Sequence, residues 1–308
     1  AASGAVLFAE RADEQGYPAS VVKLMDLLIV LERQAAGSLD LAEAVRVTAE
    51  AAGMGGSQVY LREGEVFSVE ELVYAMMVQS ANDAATALAL HLAGSRAAFV
   101  QLMNQRAAQL GLTNTVFYSV HGLPPGPGQM PDVSTARDLA VLARELLKHP
   151  AALRYTATRE RGFRNGTFVM RNHNHLLATV EGCDGLKTGY FAAGGYSVVA
   201  TAQRQGRRLV AVVLGSRTRA QRDNAARELL ARGFAQIPPA PPAASEQGLT
   251  GRTAAVASPV APPGTPRGGP RRVFRLASGV LLGVVAVVAL MMLGRQLRHP
   301  RSGDGSPP

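Results

Sequence analysis

Twelve of the eighteen prolines in this 308-residue chain lie after position 234. Proline fixes φ and removes a backbone donor, so a stretch crowded with it cannot continue a helix or a central strand. A packed domain is therefore expected over residues 1–234, and a Pro/Ala-rich linker over 235–272. The charge divides at the same place. Of 32 basic and 23 acidic residues, 8 arginines and 2 acids fall after 234, which leaves 24 against 21 before it. The first part carries +3 and the tail +6, so the high isoelectric point does not describe the folded part, and a basic nucleic-acid-binding domain is not expected. After the linker come eighteen uncharged residues, 276–293 (LASGVLLGVVAVVALMML), flanked by arginines on both sides. At 1.5 Å per residue they span roughly 27 Å, near the thickness of a bilayer core. A transmembrane helix is expected over 273–295 and a short basic tail over 296–308.

The remaining composition removes several classes. The one cysteine, Cys183, excludes an intrachain disulfide and any CxxC zinc motif. Tryptophan is absent and aromatics are 5%, which argues against stacking platforms for single-stranded nucleic acid. Hydrophobic residues at 47% suffice for a core. The start, AASG, lacks both Met and a positively charged leader and reads as a processed or trimmed end.

Within 1–234 the pattern predicts a short strand over 4–10, then an apolar helix from Pro18 to about Glu32. Further helices follow over 69–93, broken near Asn82-Asp83, and over 95–110. A Gly/Pro-rich loop covers 116–131, and an amphipathic helix 134–148. Strands follow over 185–190, 196–203 and 209–214, with QRQGRR as a hairpin turn, and a helix over 219–234 closes the domain. Strand, helical insert, antiparallel meander and final helix make an α+β domain with a helical subdomain.

The chain uses 29 arginines and only three lysines, Lys23, Lys148 and Lys187. An arginine keeps its charge at any ordinary pH, whereas a buried lysine can lose its proton. Lys23 lies three residues after Ser20, which puts both side chains on one helix face. A desolvated amine there can take the serine proton, and the alkoxide can attack a carbonyl. Lys187-Thr188-Gly189 places a cation and a hydroxyl beside a glycine on a predicted strand, which suits an anionic substrate end docking along it. With 16 serines and 3 lysines, SxxK is expected by chance about 0.16 times and KTG about 0.015 times. Both occur, with Ser80-Ala81-Asn82 between them.

The order SxxK, SxN, KTG is that of penicillin-binding proteins and serine β-lactamases. The further segments YPASVVKLM (17–25), SANDAA (80–85), LGLTNT (110–115), HGL (121–123), NHNHLL (172–177), DGLKTGY (184–190) and VVLG (212–215) resemble the low-molecular-weight D-alanyl-D-alanine carboxypeptidases. The resemblance implies a β-lactamase/DD-peptidase-like fold, an antiparallel sheet flanked by helices with a helical subdomain. It implies removal of the terminal D-alanine from peptidoglycan stem peptides through a Ser20 acyl-enzyme, and binding of β-lactams. By the same resemblance Lys23 is the base, Ser80 relays a proton to the leaving amine, and Asn82 orients the substrate amide. Lys187 and Thr188 hold the terminal carboxylate. Gly189 lies between them and Tyr190, whose N–H forms an oxyanion hole with that of Ser20. The carboxylate-binding arginine falls at Arg222, with Arg217 and Arg219 as rivals. Neither a cofactor nor a metal is expected. The β-rich second domain frequent in the family is not expected after Phe234, and the further strand that usually precedes the one over 4–10 is expected only in part.

Other residues read more plainly. His173 and His175 form an HxH pair without a third zinc ligand at matching spacing. His121 reads as structural, Cys183 as a small buried side chain, and Asp26 as paired with an arginine. A class A-type β-lactamase would need a water-activating glutamate between Asn82 and Lys187, and none of Glu145, Glu160 and Glu181 has a fitting context. DD-endopeptidase action shares all the site residues, and a non-hydrolytic wall-binding protein would not need Lys23. The expected location is the cell membrane, single-pass, with the catalytic domain on the periplasmic or extracellular side.

Overall fold

A computed structural model of the chain describes residues 1–237. The linker, the apolar segment 276–293 and the basic tail lie outside the described residues. Among those described, no helix is long and apolar enough to cross a membrane.

The chain begins with an irregular segment where a strand over 4–10 is expected from the sequence. Gly4, at φ +73°, closes a turn onto the Ala1 carbonyl. Arg144 binds the Ala1 carbonyl at 2.8 Å, and the Ala1 ammonium donates to Arg208 O at 2.5 Å. These contacts engage the backbone groups with which a ladder would begin. Next comes a 3-10 turn, Ala19–Val22, running directly into helix α1, Lys23–Ala35. Every residue of α1 from Lys23 to Leu31 is buried, which makes it the central helix the sequence predicts.

Around α1 lie the elements of the helical subdomain. They are β1 (Ala44–Arg46), α2 (Ala49–Ala52), β2 (Val66–Ser68), α3 (Val69–Val78), α4 (Asn82–Ala93) and α5 (Arg96–Gln109). Strands β1 and β2 pair antiparallel, with Val45 opposite Phe67. Ser68 and Glu71 form a capping box that starts α3. The expected break between α3 and α4 is present, and Ser80 within it has φ +61°. After the loop come α6 (Ala136–Leu146), α7 (Ala151–Thr156), the hairpin β3 (Glu160–Phe163) and β4 (Phe168–Arg171), and α8 (Leu176–Thr179).

The predicted meander follows as β5 (Cys183–Phe191), β6 (Gly195–Arg204) and β7 (Arg207–Ser216), closed by α9 (Arg219–Gln236). These three strands form one antiparallel sheet with β6 in the centre. Gln205 and Gly206, both at positive φ, make the turn between β6 and β7 that the sequence predicts. Alternation along β6 serves two cores. Val199 joins the large core around α1, while Val198, Ala200 and Ala202 join Leu176, Ala226 and Leu230 under α8 and α9. The sheet is thus covered by helices on both faces.

Two glycines let backbone approach the Ser20 turn. A Cβ on Gly189 of β5 would lie 2.3 Å from Pro18 O and 3.1 Å from Ser20 N. One on Gly122, at φ +74°, would lie 2.1 Å from Ala19 O. Gly122→Ala combines left-handed backbone with this collision and is expected to cost about 2–3 kcal/mol in urea unfolding. Wild-type stability in that variant would contradict the close approach.

Candidate active site

Lys23 is fully buried, and its amine reaches three partners. It lies 3.0 Å from Ser20 Oγ, 2.8 Å from Asn82 Oδ1 and 2.8 Å from the His121 carbonyl. Each partner comes from a different piece of chain: the 3-10 turn, the first residue of α4, and the loop before α6. The Ser20 hydroxyl also lies 3.3 Å from the His121 carbonyl. Asn82 is itself fixed. Its Nδ2 donates to Gly55 O at 2.8 Å and its backbone N–H to Ser57 O at 2.7 Å. The side-chain oxygen is therefore the atom presented to Lys23.

Burial pushes the Lys23 amine down to about 7, and Asp26, Asp132 and Asp83 oppose that shift only in part. Asp83 is occupied by the backbone N–H groups of Val59, Leu61 and Ala84. Asp132 accepts from the Tyr118 and Ser119 N–H groups and from the Ser119 hydroxyl. Asp26, one turn after Lys23, does not have the arginine partner expected from the sequence. It is 2% exposed, and among the described residues neither carboxylate oxygen has a hydrogen-bond partner. Burial accordingly holds its carboxyl well above the usual range.

Ser20 opens onto a cleft of about 290 Å³ lined by Ser57, Ser80, His173, His175, Thr188, Gly189, Tyr190, Tyr196, Arg219 and Arg222. The three motifs therefore converge on one space. Ser80 lines it, and its hydroxyl makes no hydrogen bond among the described residues. Lys187 is buried on β5 and donates to the Thr188 carbonyl at 3.1 Å. Burial, with the charges of Lys23 and Arg222, pushes its amine well below the usual lysine range. Tyr190 is half exposed and stacks on Tyr196 at 4.1 Å between ring centroids.

Of the three candidate arginines, Arg219 and Arg222 line the cleft, while Arg217 lines a neighbouring groove beside residues 8–17. Arg222 is buried and donates from Nε and Nη2 to Asp223 Oδ1 at 2.9 and 2.7 Å. His173 and His175 also line the cleft, and both are exposed. Desolvation by the cleft walls, then the charges of Lys187, Arg219 and Lys23, push His173 down to about 4, although its ring reaches solvent. Among the described residues no three imidazole, carboxylate or thiol groups converge as metal ligands. Cys183 is half-buried, with its sulfur 3.6 Å from Gly185 O.

Sequence reasoning missed Ser57 and the carbonyl of His121. A main-chain acceptor has no residue signature, and the signal lay only in the HGL segment that brings the loop to Ser20. The His121 ring is structural, as expected: its Nδ1 accepts from Leu123 N–H at 3.1 Å, and burial and the charge on Lys23 push it down to about 3.

The family model for D-alanyl-D-alanine carboxypeptidase matches residues 1–218. The D-alanyl-D-alanine carboxypeptidase DacC of Escherichia coli is 40% identical over 76% of this chain and 59% of its own length. DacF of Bacillus subtilis is 36% identical over 76% of this chain and 60% of its own. The chain thus spans about 60% of the length of these curated relatives. The structure of penicillin-binding protein D2 from Listeria monocytogenes, in its ampicillin-bound form, is similar at a TM-score of 0.69 and 33% identity. That match covers 76% of this chain and 93% of the other. With the family matched over most of its length and the serine–lysine pair in contact, the chain belongs to the D-alanyl-D-alanine carboxypeptidase family of serine peptidases.

Proposed function

We propose that this protein removes the terminal D-alanine from peptidoglycan stem peptides through an acyl-enzyme on Ser20, and that β-lactams acylate the same serine. The observation that carries the reading is the 3.0 Å contact between Ser20 Oγ and a buried Lys23 amine pushed down to about 7. An unprotonated Lys23 takes the hydroxyl proton as Oγ bonds to the carbonyl carbon of the penultimate D-alanine. The N–H groups of Ser20 and Tyr190 are the proposed donors to the oxyanion. As the C–N bond breaks, the proton on Lys23 passes through Ser80 to the leaving amine. Water then hydrolyses the ester and restores Ser20. Asn82 orients the substrate amide, and Lys187, Thr188 and Arg222 take the terminal carboxylate.

The β-lactamase reading has less support. Glu145 pairs with Arg106 and Lys148, and Glu160 with Arg171, whereas Glu181 lies near Arg204. None of the three lines the cleft that holds Ser20. The membrane anchor over 273–295 is part of the proposal and rests on its uncharged apolar run. An anchor there, with the catalytic domain on the periplasmic or extracellular side, would put the active site where peptidoglycan is.

A pentapeptide ending in D-Ala-D-Ala should release D-alanine, and a fluorescent penicillin should label the protein. Ser20→Ala is expected to abolish both. Lys23→Ala should slow acylation about 10²–10⁴-fold. Label that survives Ser20→Ala, or no release by the wild type, would refute the reading. The pH dependence has a definite sign. Lys23 is protonated below about 7 and cannot accept a proton there. Acylation should therefore fall about tenfold per unit below that pH and level off above it. A rate flat down to pH 5 would contradict the role of Lys23.

A further inference from the structure

We infer that Arg219 is a second guanidinium anchor for the carboxylate that ends the substrate, and that it sets the preference for a free terminal carboxylate. The inference rests on the carboxypeptidase reading and deepens it.

Two of the cations at the cleft are already committed within the protein. Arg222, the arginine expected there, lies inside the wall at 2% exposure and gives Nε and Nη2 to Asp223. That pair leaves little net charge. The buried Lys187 amine reaches only a main-chain carbonyl and sits among cations. Among the described residues no Asp or Glu side chain lines the cleft. Arg219 lines the same cleft, is exposed to solvent, and makes no ion pair or hydrogen bond among the described residues. Its charge is close enough to the cleft wall to lower the His173 imidazole.

The position of Arg219 strengthens the point. It is the first residue of α9, whose first turn holds no acid. The partial positive charge of a helix N-terminus opposes a cation there. Among the described residues no carboxylate pairs with Arg219 to offset that placement, whereas an arriving carboxylate would be favoured by the guanidinium and the helix end together. A planar guanidinium also matches a carboxylate through two parallel hydrogen bonds. Lys187 and Thr188 would meet the carboxylate from β5, Arg222 from within, and Arg219 from the mouth. A C-terminal amide, having no charge, would gain little from Arg219.

The test compares two peptides, one ending in free D-Ala-D-Ala and the same peptide as its C-terminal amide, on the full chain and its Arg219→Ala variant. For the free acid, kcat/KM should fall about 10–100-fold, chiefly through a higher KM, because the contact exists already in the bound ground state. For the amide it should stay within about twofold, and Arg219→Lys should restore part of the loss. The melting temperature should not fall, since Arg219 makes no ion pair or hydrogen bond among the described residues and sits against the positive end of α9. Free-acid turnover within twofold of wild type, or an equal loss on both peptides, would overturn the inference. A wild type that hydrolyses neither peptide would instead remove the carboxypeptidase reading itself, and this inference with it.

Discussion

Everything in the site depends on a lysine amine held away from water by three partners from three pieces of chain. Two of them, Asn82 Oδ1 and the His121 carbonyl, can only accept. A neutral amine has two N–H donors and one lone pair. The two donors meet those acceptors, and the lone pair is left for the hydroxyl of Ser20. Gaining the serine proton turns the third contact from acceptor into donor without moving a heavy atom. The base can therefore take up and return a proton with little reorganisation. The price of this arrangement is burial of an ionisable group, which the α1 core imposes and which Asp26, Asp83 and Asp132 only partly offset.

The rest of the fold brings backbone to that amine at unusually short range. Strand β5 passes so close to the 3-10 turn that only glycine fits at 189, and the loop with His121 needs glycine at 122. Ala19 and Ser80 have positive φ, at 49° and 61°, next to the nucleophile and in the SxN turn. Such conformations cost of order 1–3 kcal/mol each and persist where surrounding packing fixes them. Here the packing is a helix buried over its first nine residues, with α4 and β5 against it.

How much of this could be read from the sequence follows from where each signal resides. The Ser20–Lys23 spacing, the lysine scarcity and KTG were legible because the chemistry demands particular side chains at fixed intervals. The meander was legible because β-rich runs alternate with turn residues. Helix boundaries agreed within a few residues where caps such as Thr135 and Thr218 mark them. The pairs β1–β2 and β3–β4 were missed, since three or four residues carry no measurable period. The strand expected over 4–10 joins no sheet among the described residues, and at its start Gly4 closes a turn onto Ala1. The pairing of Arg222 with its own neighbour Asp223, and the lack of a hydrogen bond to Asp26 among the described residues, depend on side-chain direction in the packed state. No spacing rule reveals either.

The central claim is that burial brings the Lys23 amine into titration near neutral pH, so that an unprotonated base is present there, and the chain's composition permits a direct measurement. Only three lysines are present, so selective ¹³C labelling at Cε gives three resonances to follow with pH. The account predicts one resonance with a midpoint near about 7 that disappears in Lys23→Ala. A Lys23 resonance that titrates only near the ordinary lysine value would contradict it.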